Sequence, residues 1–194
     1  MKVLCLSLHL GNLGRSGRDA FERQPRPLSF PLNQATDFPR NCSPPGPTAT
    51  NSLRHLALST NNIAAITNLA GLENLKILSL GRNMIKKFDN IEAVSETIEE
   101  IWISYNLIES LSGLDKAKNL KKLFMSNNLV GKWTEIEKLQ ANTALEEVLF
   151  VGNPFVDEDN AAYRIQMLRT LPQLKKIDGL PMDVDEREAA QAAE

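Results

Sequence analysis

Cysteine is scarce in this sequence. The 194 residues include two cysteines, Cys5 and Cys42, and none follows residue 42. Secreted repeat domains usually close their ends with disulfides, so this scarcity favours a reducing compartment. No apolar run approaches the ~20 residues that a membrane-spanning helix requires, and we expect no membrane association. The opening MKVLCLSLHL is a brief apolar run with no convincing cleavage site after it, so we do not expect a signal peptide.

The sequence also lacks a strong charge of either sign. The formal net charge is −2, with basic excess in residues 1–50 and acidic excess in residues 178–194. A nucleic-acid-binding surface would need Lys and Arg clustered on one face, and no such cluster is present. We therefore expect no nucleic-acid partner.

Catalytic and metal-binding motifs are missing too. The sequence contains no GxSxG, no phosphate-binding GxxxxGK[ST], and no Cys or His pair at metal-ligand spacing. We interpret His55 as an ordinary surface residue and expect no His partner beside Ser79, Ser104 or Ser126. The chain is accordingly predicted to be no enzyme and to use no cofactor and no metal.

What the sequence does contain is a repeat. The pattern LxxLxLxxNxIxxL, with Ile allowed for Leu, begins at Leu53, Leu75, Ile98, Leu120 and Leu145. A period in this range, with Asn at the ninth position, is typical of leucine-rich-repeat solenoids. We predict an α/β fold with a parallel sheet on one face and helical or irregular segments on the other, in which stacked repeats share one core.

The ninth position of each repeat is an asparagine. A carboxamide both donates and accepts hydrogen bonds, so stacked asparagines can satisfy the backbone groups exposed where the chain leaves each strand. We predict a structural asparagine ladder formed by Asn61, Asn83, Asn106, Asn128 and Asn153.

The regions outside the repeats differ in composition. Residues 1–50 are rich in proline and have no sustained period, so we predict disorder there, with a brief helix or strand near residues 2–8. Without a cap before it, the first repeat would leave Leu53, Leu56 and Leu58 at an exposed apolar end.

The repeat domain is predicted to span residues 51–179 and to end in a helical cap. Tyr163, Met167 and Leu171 recur at four-residue spacing and give that helix one apolar face. Residues 180–194 form an acidic tail, which we expect to be solvated and mobile, although Asp183 or Asp185 suits the start of a short helix.

The outward face of the predicted sheet is unusually apolar. The fifth positions of the last three repeats are Trp102, Phe124 and Leu149, which parallel strands would place side by side. Contiguous apolar surface of this kind is uncommon on a monomer unless a partner covers it. We predict a protein-binding surface made of this row and its neighbours Ile77, Tyr105 and Val151.

The amino-acid sequence of the repeats is more specific than the repeat pattern alone. LALSTNNI (56–63), LKILSLGRNMIKK (75–87), IEEIWISYNLIESLSGL (98–114), LKKLFMSNNLV (120–130) and LPQLKKIDGLPMDVDERE (171–188) resemble the light chain 1 family of axonemal outer-arm dynein. The resemblance covers roughly residues 53–188. Residues 1–50 lack the helical N-terminal cap usual in that family.

The resemblance implies a non-catalytic subunit of the ciliary outer dynein arm, located in the cytoplasm, cytoskeleton and axoneme. Such a subunit binds a dynein heavy chain near its microtubule-binding region, with tubulin as a possible second contact, and modulates motor activity and ciliary beating. Asp183 and Arg187 match tail positions implicated in touching the motor. The alternative is a repeat adaptor of another complex, in phosphatase regulation or splicing.

Overall fold

The computed structural model describes residues 3–5, 52–67, 69–156 and 160–192. The predicted disorder of residues 1–50 therefore falls outside the described residues, apart from a strand over Val3–Cys5. That strand lies within residues 2–8, where a brief element was predicted.

The described residues form a single sheet of eight strands that follow one another in chain order. All neighbours are parallel except the last pair, which is antiparallel. This arrangement confirms the predicted α/β leucine-rich-repeat solenoid. The strands are β1 (Val3–Cys5), β2 (His55–Ala57), β3 (Ile77–Ser79), β4 (Glu100–Trp102), β5 (Lys122–Phe124), β6 (Glu147–Leu149), β7 (Lys176–Ile177) and β8 (Leu180–Pro181).

Each strand ends in a left-handed turn at the eighth position of its repeat. The φ angle there is 61° at Thr60, 56° at Arg82, 59° at Tyr105, 53° at Asn127 and 78° at Gly152. A residue in this conformation turns the chain sharply. Because the turn recurs at the same position, every strand ends in register with its neighbours.

The core runs along the stack beneath the sheet. The middle residue of each strand from β2 to β6 and Ile177 of β7 point inward and are buried, as is the apolar residue at position 11 of the later repeats. On the opposite side the chain returns through short helices: 3-10 helices over Ile91–Val94, Leu114–Lys116 and Lys138–Ala141, and the helix α1 (Trp133–Glu137).

The first repeat is better covered than expected. Leu53 and Leu56 are 9% and 7% exposed, and Leu58 is half-buried. The predicted exposed end is therefore wrong for the first two leucines. Strand β1 pairs with β2, so the first repeat does not form the edge of the sheet.

Two helices close the other end of the solenoid. Helix α2 (Asn160–Thr170) buries Tyr163, Met167 and the following Leu171, as its spacing predicted. Helix α3 (Val184–Gln191) packs against α2. The tail forms the short helix that Asp183 suits as a start, and none of the side chains of that helix is buried, in keeping with a solvated segment. Its Glu186 carboxylate binds the guanidinium of the buried Arg164, and its mobility stays a prediction.

None of the helices among the described residues combines the length and the apolarity needed to cross a bilayer.

Candidate functional site

The register of the sheet brings the outward aromatic residues together. Trp102, Phe124 and Leu149 occupy directly paired positions on β4, β5 and β6. The rings of Trp102 and Phe124 lie edge to face with centroids 5.5 Å apart. Trp102 is 45% exposed and the other two are half-buried. We call these three residues the sheet-face row.

The residues predicted to border this row lie on the same side of the sheet, in different degrees of exposure. Tyr105 is 52% exposed and Val151 is 50% exposed, whereas Ile77 on β3 is half-buried. The guanidinium carbon of Arg82 lies 4.9 Å from the centroid of the Tyr105 ring, a cation–π contact that restrains the tyrosine. The sheet-face row therefore has an amphipathic margin on the side where the strands end.

Charged residues line the opposite margin, where the strands begin. The third positions carry Glu100, Lys122 and Glu147, and the ammonium of Lys122 lies 3.0 Å from the Glu100 carboxylate. A hydrogen bond to that carboxylate raises the pKa of Lys122. The Trp102 indole N–H also donates to Glu100 at 3.1 Å, which orients the exposed ring.

A second row of alternating charges lies at the second positions. The Glu99 carboxylate accepts a hydrogen bond from Lys121 at 2.8 Å and another from Lys76. These two lysines, Lys121 foremost, lower the pKa of Glu99 to about 2. Farther along, Lys175 binds Glu146 at 2.8 Å. The apolar surface is thus rimmed by ion pairs formed within the chain.

One expectation about the sheet face is wrong. The ring Nε2 of His55 lies 3.1 Å from the hydroxyl of Ser79, which is 8% exposed, so Ser79 does have a histidine partner. The two residues are diagonal neighbours on β2 and β3, a distance that long side chains can bridge. No described residue hydrogen-bonds the other nitrogen of His55, so a third group that would orient the imidazole for catalysis is missing from the described part of the chain.

The ninth-position asparagines connect successive repeats. The Asn106 amide donates to the carbonyls of Leu80 and Ile103, each at 3.0 Å, and its oxygen accepts from the Ile85 amide at 3.0 Å. Asn83, Asn128 and Asn153 make equivalent bonds. Asn61 differs, since the bonds described for it go to Leu58 and Ser59 of its own repeat.

Sequence reasoning missed a second set of asparagines on the opposite side of the solenoid. The Asn142 amide is fully buried and donates to the carbonyls of Leu114 and Ala117 at 2.8 and 2.7 Å. Asn90 and Asn119 likewise donate to carbonyls of the preceding repeat. Their spacing in the sequence is irregular, so no periodic signal marks them.

The two tail residues have structural partners in the C-terminal cap. The Asp183 side chain accepts from the Val184 amide at 2.7 Å and belongs to a capping box with Glu186. The Arg187 guanidinium donates to the Leu174 carbonyl at 2.8 Å. Both side chains therefore fix helix α3, and the structure does not join them to the sheet-face row by any described contact.

Among the described residues, no three His, Cys, Asp or Glu side chains come together in a way that would hold a metal ion.

Comparison with known proteins identifies relatives of this chain. A family profile described as leucine-rich repeat matches residues 47–193. Dynein axonemal light chain 1 of Chlamydomonas reinhardtii is 61% identical over 145 residues, which cover 72% of this chain and 73% of that protein. The Danio rerio protein of the same name is 56% identical over 135 residues, covering 69% of this chain and 70% of that protein.

Solved structures agree on the fold. A chain of the Drosophila melanogaster SNF/U2A' complex superposes with a TM-score of 0.63 at 26% identity, covering 75% of this chain and 89% of that chain. An identity of 61% over most of the repeats is far more specific than this shared architecture. The chain therefore belongs to the dynein axonemal light chain 1 family of leucine-rich-repeat proteins.

Proposed function

We propose that this protein is a non-catalytic light chain of the ciliary outer dynein arm, and that its sheet-face row binds a dynein heavy chain. Its location would be the axoneme of a cilium or flagellum. The observation that carries the proposal is the contiguous outward row of Trp102, which is 45% exposed, and the half-buried Phe124 and Leu149, on a chain whose relatives are named axonemal dynein light chains.

The chemistry of the row suits a protein partner. Trp and Tyr are frequent binding hot spots because they bury a large area and lose little conformational entropy. Here the Trp102 ring is already oriented by Phe124 and by its hydrogen bond to Glu100. The flanking ion pairs supply the polar rim that surrounds the dry centre of a typical interface.

The contact would lie near the microtubule-binding region of the heavy chain and would modulate motor activity. A bound light chain shifts a motor between two conformations only by the difference between its affinities for them. Modulation of the ciliary beat therefore requires that one conformation of the heavy chain offers the sheet-face row a better apolar complement than the other. A direct contact with tubulin is a further part of this proposal.

The test is binding of the full-length protein to purified heavy-chain segments, comparing wild type with Trp102→Ala plus Phe124→Ala. We expect the double substitution to weaken binding to the segment next to the microtubule-binding region by about 30-fold or more, since removal of hot-spot aromatics costs ~2 kcal/mol or more. Circular dichroism checks that the fold is intact, because Trp102 is 45% exposed and Phe124 is half-buried.

A matched control changes two exposed apolar residues that lie off the sheet face. Leu107→Ala plus Leu129→Ala removes side chains that are 36% and 44% exposed, and this variant should bind the motor as wild type does. If both double variants bind equally well, the sheet-face row does not form the motor contact. The tail variant Arg187→Ala then tests the C-terminal helix as the alternative contact.

The alternative of a repeat adaptor in another complex predicts different partners. The chain of the SNF/U2A' complex has 26% sequence identity to this chain and shares its fold. The relative with 61% identity also shares most of the repeat sequence. Affinity capture from ciliated and non-ciliated cells separates the two. Recovery of an axonemal heavy chain supports the proposal, and recovery of an RNA-binding or phosphatase complex in its place contradicts it.

A further inference from the structure

A second row of exposed apolar residues lies along the edge of the solenoid, beyond the turns that end the strands. It is formed by the tenth position of each repeat from the second to the fifth. Met84, Leu107 and Leu129 are 51%, 36% and 44% exposed, and Pro154 is exposed as well. We call these four residues the edge ridge.

The fold does not require apolar residues at this position. On either side of each ridge residue, position 9 is a buried asparagine and position 11 is a buried Ile, Val or Phe that fills the core. In the first repeat the tenth position is the polar residue Asn62, which is exposed. Four exposed apolar residues in consecutive repeats are therefore surplus to the core, and a row of this kind marks an interaction surface.

Backbone hydrogen bonds hold the ridge straight. The amide of Met84 donates to the Ile63 carbonyl, that of Leu107 to Ile85 and that of Leu129 to Ile108, each at 2.9 Å. These three ridge residues are thereby fixed against the preceding repeat, and beside Pro154, which has no N–H, the Phe155 amide donates to the Val130 carbonyl at 3.0 Å. The side chains consequently follow the repeat spacing of the sheet, which is about 4.8 Å.

This spacing matches a helix better than a strand. A helix laid along the ridge presents one side chain per turn, every ~5.4 Å, through residues i, i+4 and i+7. An extended strand presents side chains on one face only every ~6.7 Å and would lose register within two repeats. The four ridge residues span about 14 Å, so a helix of about three turns covers them.

The charges around the ridge determine the sign of the partner. At the neighbouring positions 8, 12 and 13 of repeats two to five, the charged side chains are Arg82, Lys86, Lys87, Glu109, Lys132 and Asp157, four of them basic and two acidic. Lys86 and Lys132 form no ion pair within the described part of the chain. The surroundings of the ridge are thus positive on a chain whose net charge is −2.

We propose that the edge ridge docks an acidic amphipathic helix of a second protein, with one apolar residue of that helix set against each repeat. The ridge and the sheet-face row occupy different repeat positions separated by the left-handed turn. The protein would therefore hold this helix while its sheet face remains free for another partner.

The test uses a designed 18-residue peptide with leucines at i, i+4, i+7 and i+11 and glutamates at the exposed positions. It is titrated into isotopically labelled full-length protein and followed by NMR. We expect saturable shifts of the backbone amides of Met84, Leu107 and Leu129. The same peptide with lysine in place of glutamate should bind at least about tenfold more weakly, because it faces like charges.

Three double variants locate the contact. Leu107→Ser plus Leu129→Ser should weaken binding of the acidic peptide about tenfold or more, whereas Trp102→Ala plus Phe124→Ala should leave it unchanged. Lys86→Glu plus Lys132→Glu keeps the ridge intact and should reverse the preference between the two peptides. The NMR spectrum of each variant verifies its fold.

Several results would overturn the proposal. The first is that the acidic peptide does not bind. The second is that it binds the Lys86→Glu plus Lys132→Glu variant as tightly as wild type. The third is that it shifts only the backbone amides of the sheet face. Sedimentation of the protein alone adds a further outcome. A dimer that dissociates in the Leu107→Ser plus Leu129→Ser variant would assign the ridge to a second copy of this chain.

Discussion

Replacement of Asn106 by alanine tests what holds the repeats together. The Asn106 side chain is 5% exposed and makes three hydrogen bonds of 3.0 Å, to Leu80, Ile103 and Ile85. Two of these reach back to the preceding repeat. Alanine would leave the Ile85 amide buried without its partner and would remove one of the two side-chain bonds to each carbonyl, because Asn83 still donates to Leu80 and Asn128 to Ile103.

The size of the effect follows from those three groups. The buried Ile85 amide, left without a partner, costs about 1–3 kcal/mol, and each lost bond to a carbonyl that keeps its second donor costs about 0.5–1.5 kcal/mol. We expect Asn106→Ala to lower the free energy of unfolding by about 3–5 kcal/mol, a large part of the ~5–15 kcal/mol typical of a domain. Asn61→Ala is the matched control, because the described bonds of Asn61 stay within its own repeat and its side chain is half-buried. We expect that change to cost about 1 kcal/mol.

Urea unfolding followed by tryptophan fluorescence measures both variants, since Trp102 and Trp133 lie within the repeats. The dependence of the unfolding free energy on urea should stay constant, which shows that the midpoint shift reports stability. If Asn106→Ala lies within about 1 kcal/mol of Asn61→Ala, the bonds between repeats are not the source of the stability, and the asparagine-ladder argument fails.

Three further predictions concern the flank, one turn and the cap. The pKa of Glu99 is held near 2, below its ordinary value of 4.5, so its ion pairs stabilise the fold above about pH 4.5 and are lost as pH falls towards 2. Glu99→Gln should remove about 1 kcal/mol of that acid dependence after allowance for solvent screening, as measured by urea midpoints from pH 5 to 2. Gly113→Ala should cost about 2–3 kcal/mol in thermal unfolding, because φ is 99° and the added Cβ would lie 2.7 Å from a backbone oxygen. Gly131→Ala, with open space around it, should change stability by less than about 0.5 kcal/mol. Arg164→Met removes the buried partner of Glu186 and should speed tryptic cleavage in helix α3, whereas unchanged cleavage would show that this ion pair does not hold the helix.

The strands and the sheet-face row could be predicted because one register governs the whole stack. Once each repeat is aligned on its leucines and its asparagine, position 5 of one repeat lies beside position 5 of the next. Trp102, Phe124 and Leu149 pair in the structure as this rule requires. The alignment needs only the period of the sequence, and that period is strongly marked.

Contacts that cross the register could not be predicted in this way. His55 and Ser79 are diagonal neighbours, 24 residues apart, and nothing in the local sequence links them. Arg164 lies on helix α2 and Glu186 on helix α3. Both helices are outside the repeats, so the periodic pattern does not predict this ion pair. Asn142 satisfies two carbonyls in the preceding repeat at a position that the repeat consensus leaves undefined.

The separation of core and surface positions also explains why fold and partner are distinct questions for this chain. The core depends on positions 1, 4, 6, 9 and 11 of each repeat, which point inward or bind the backbone. Position 5 of the last three repeats and position 10 of repeats two to five point outward and can change without loss of the fold. A shared fold at 26% identity, as with a chain of another complex, therefore does not specify the partner. The partner is specified by the outward rows, and substitutions confined to those rows should alter binding while the solenoid stays folded.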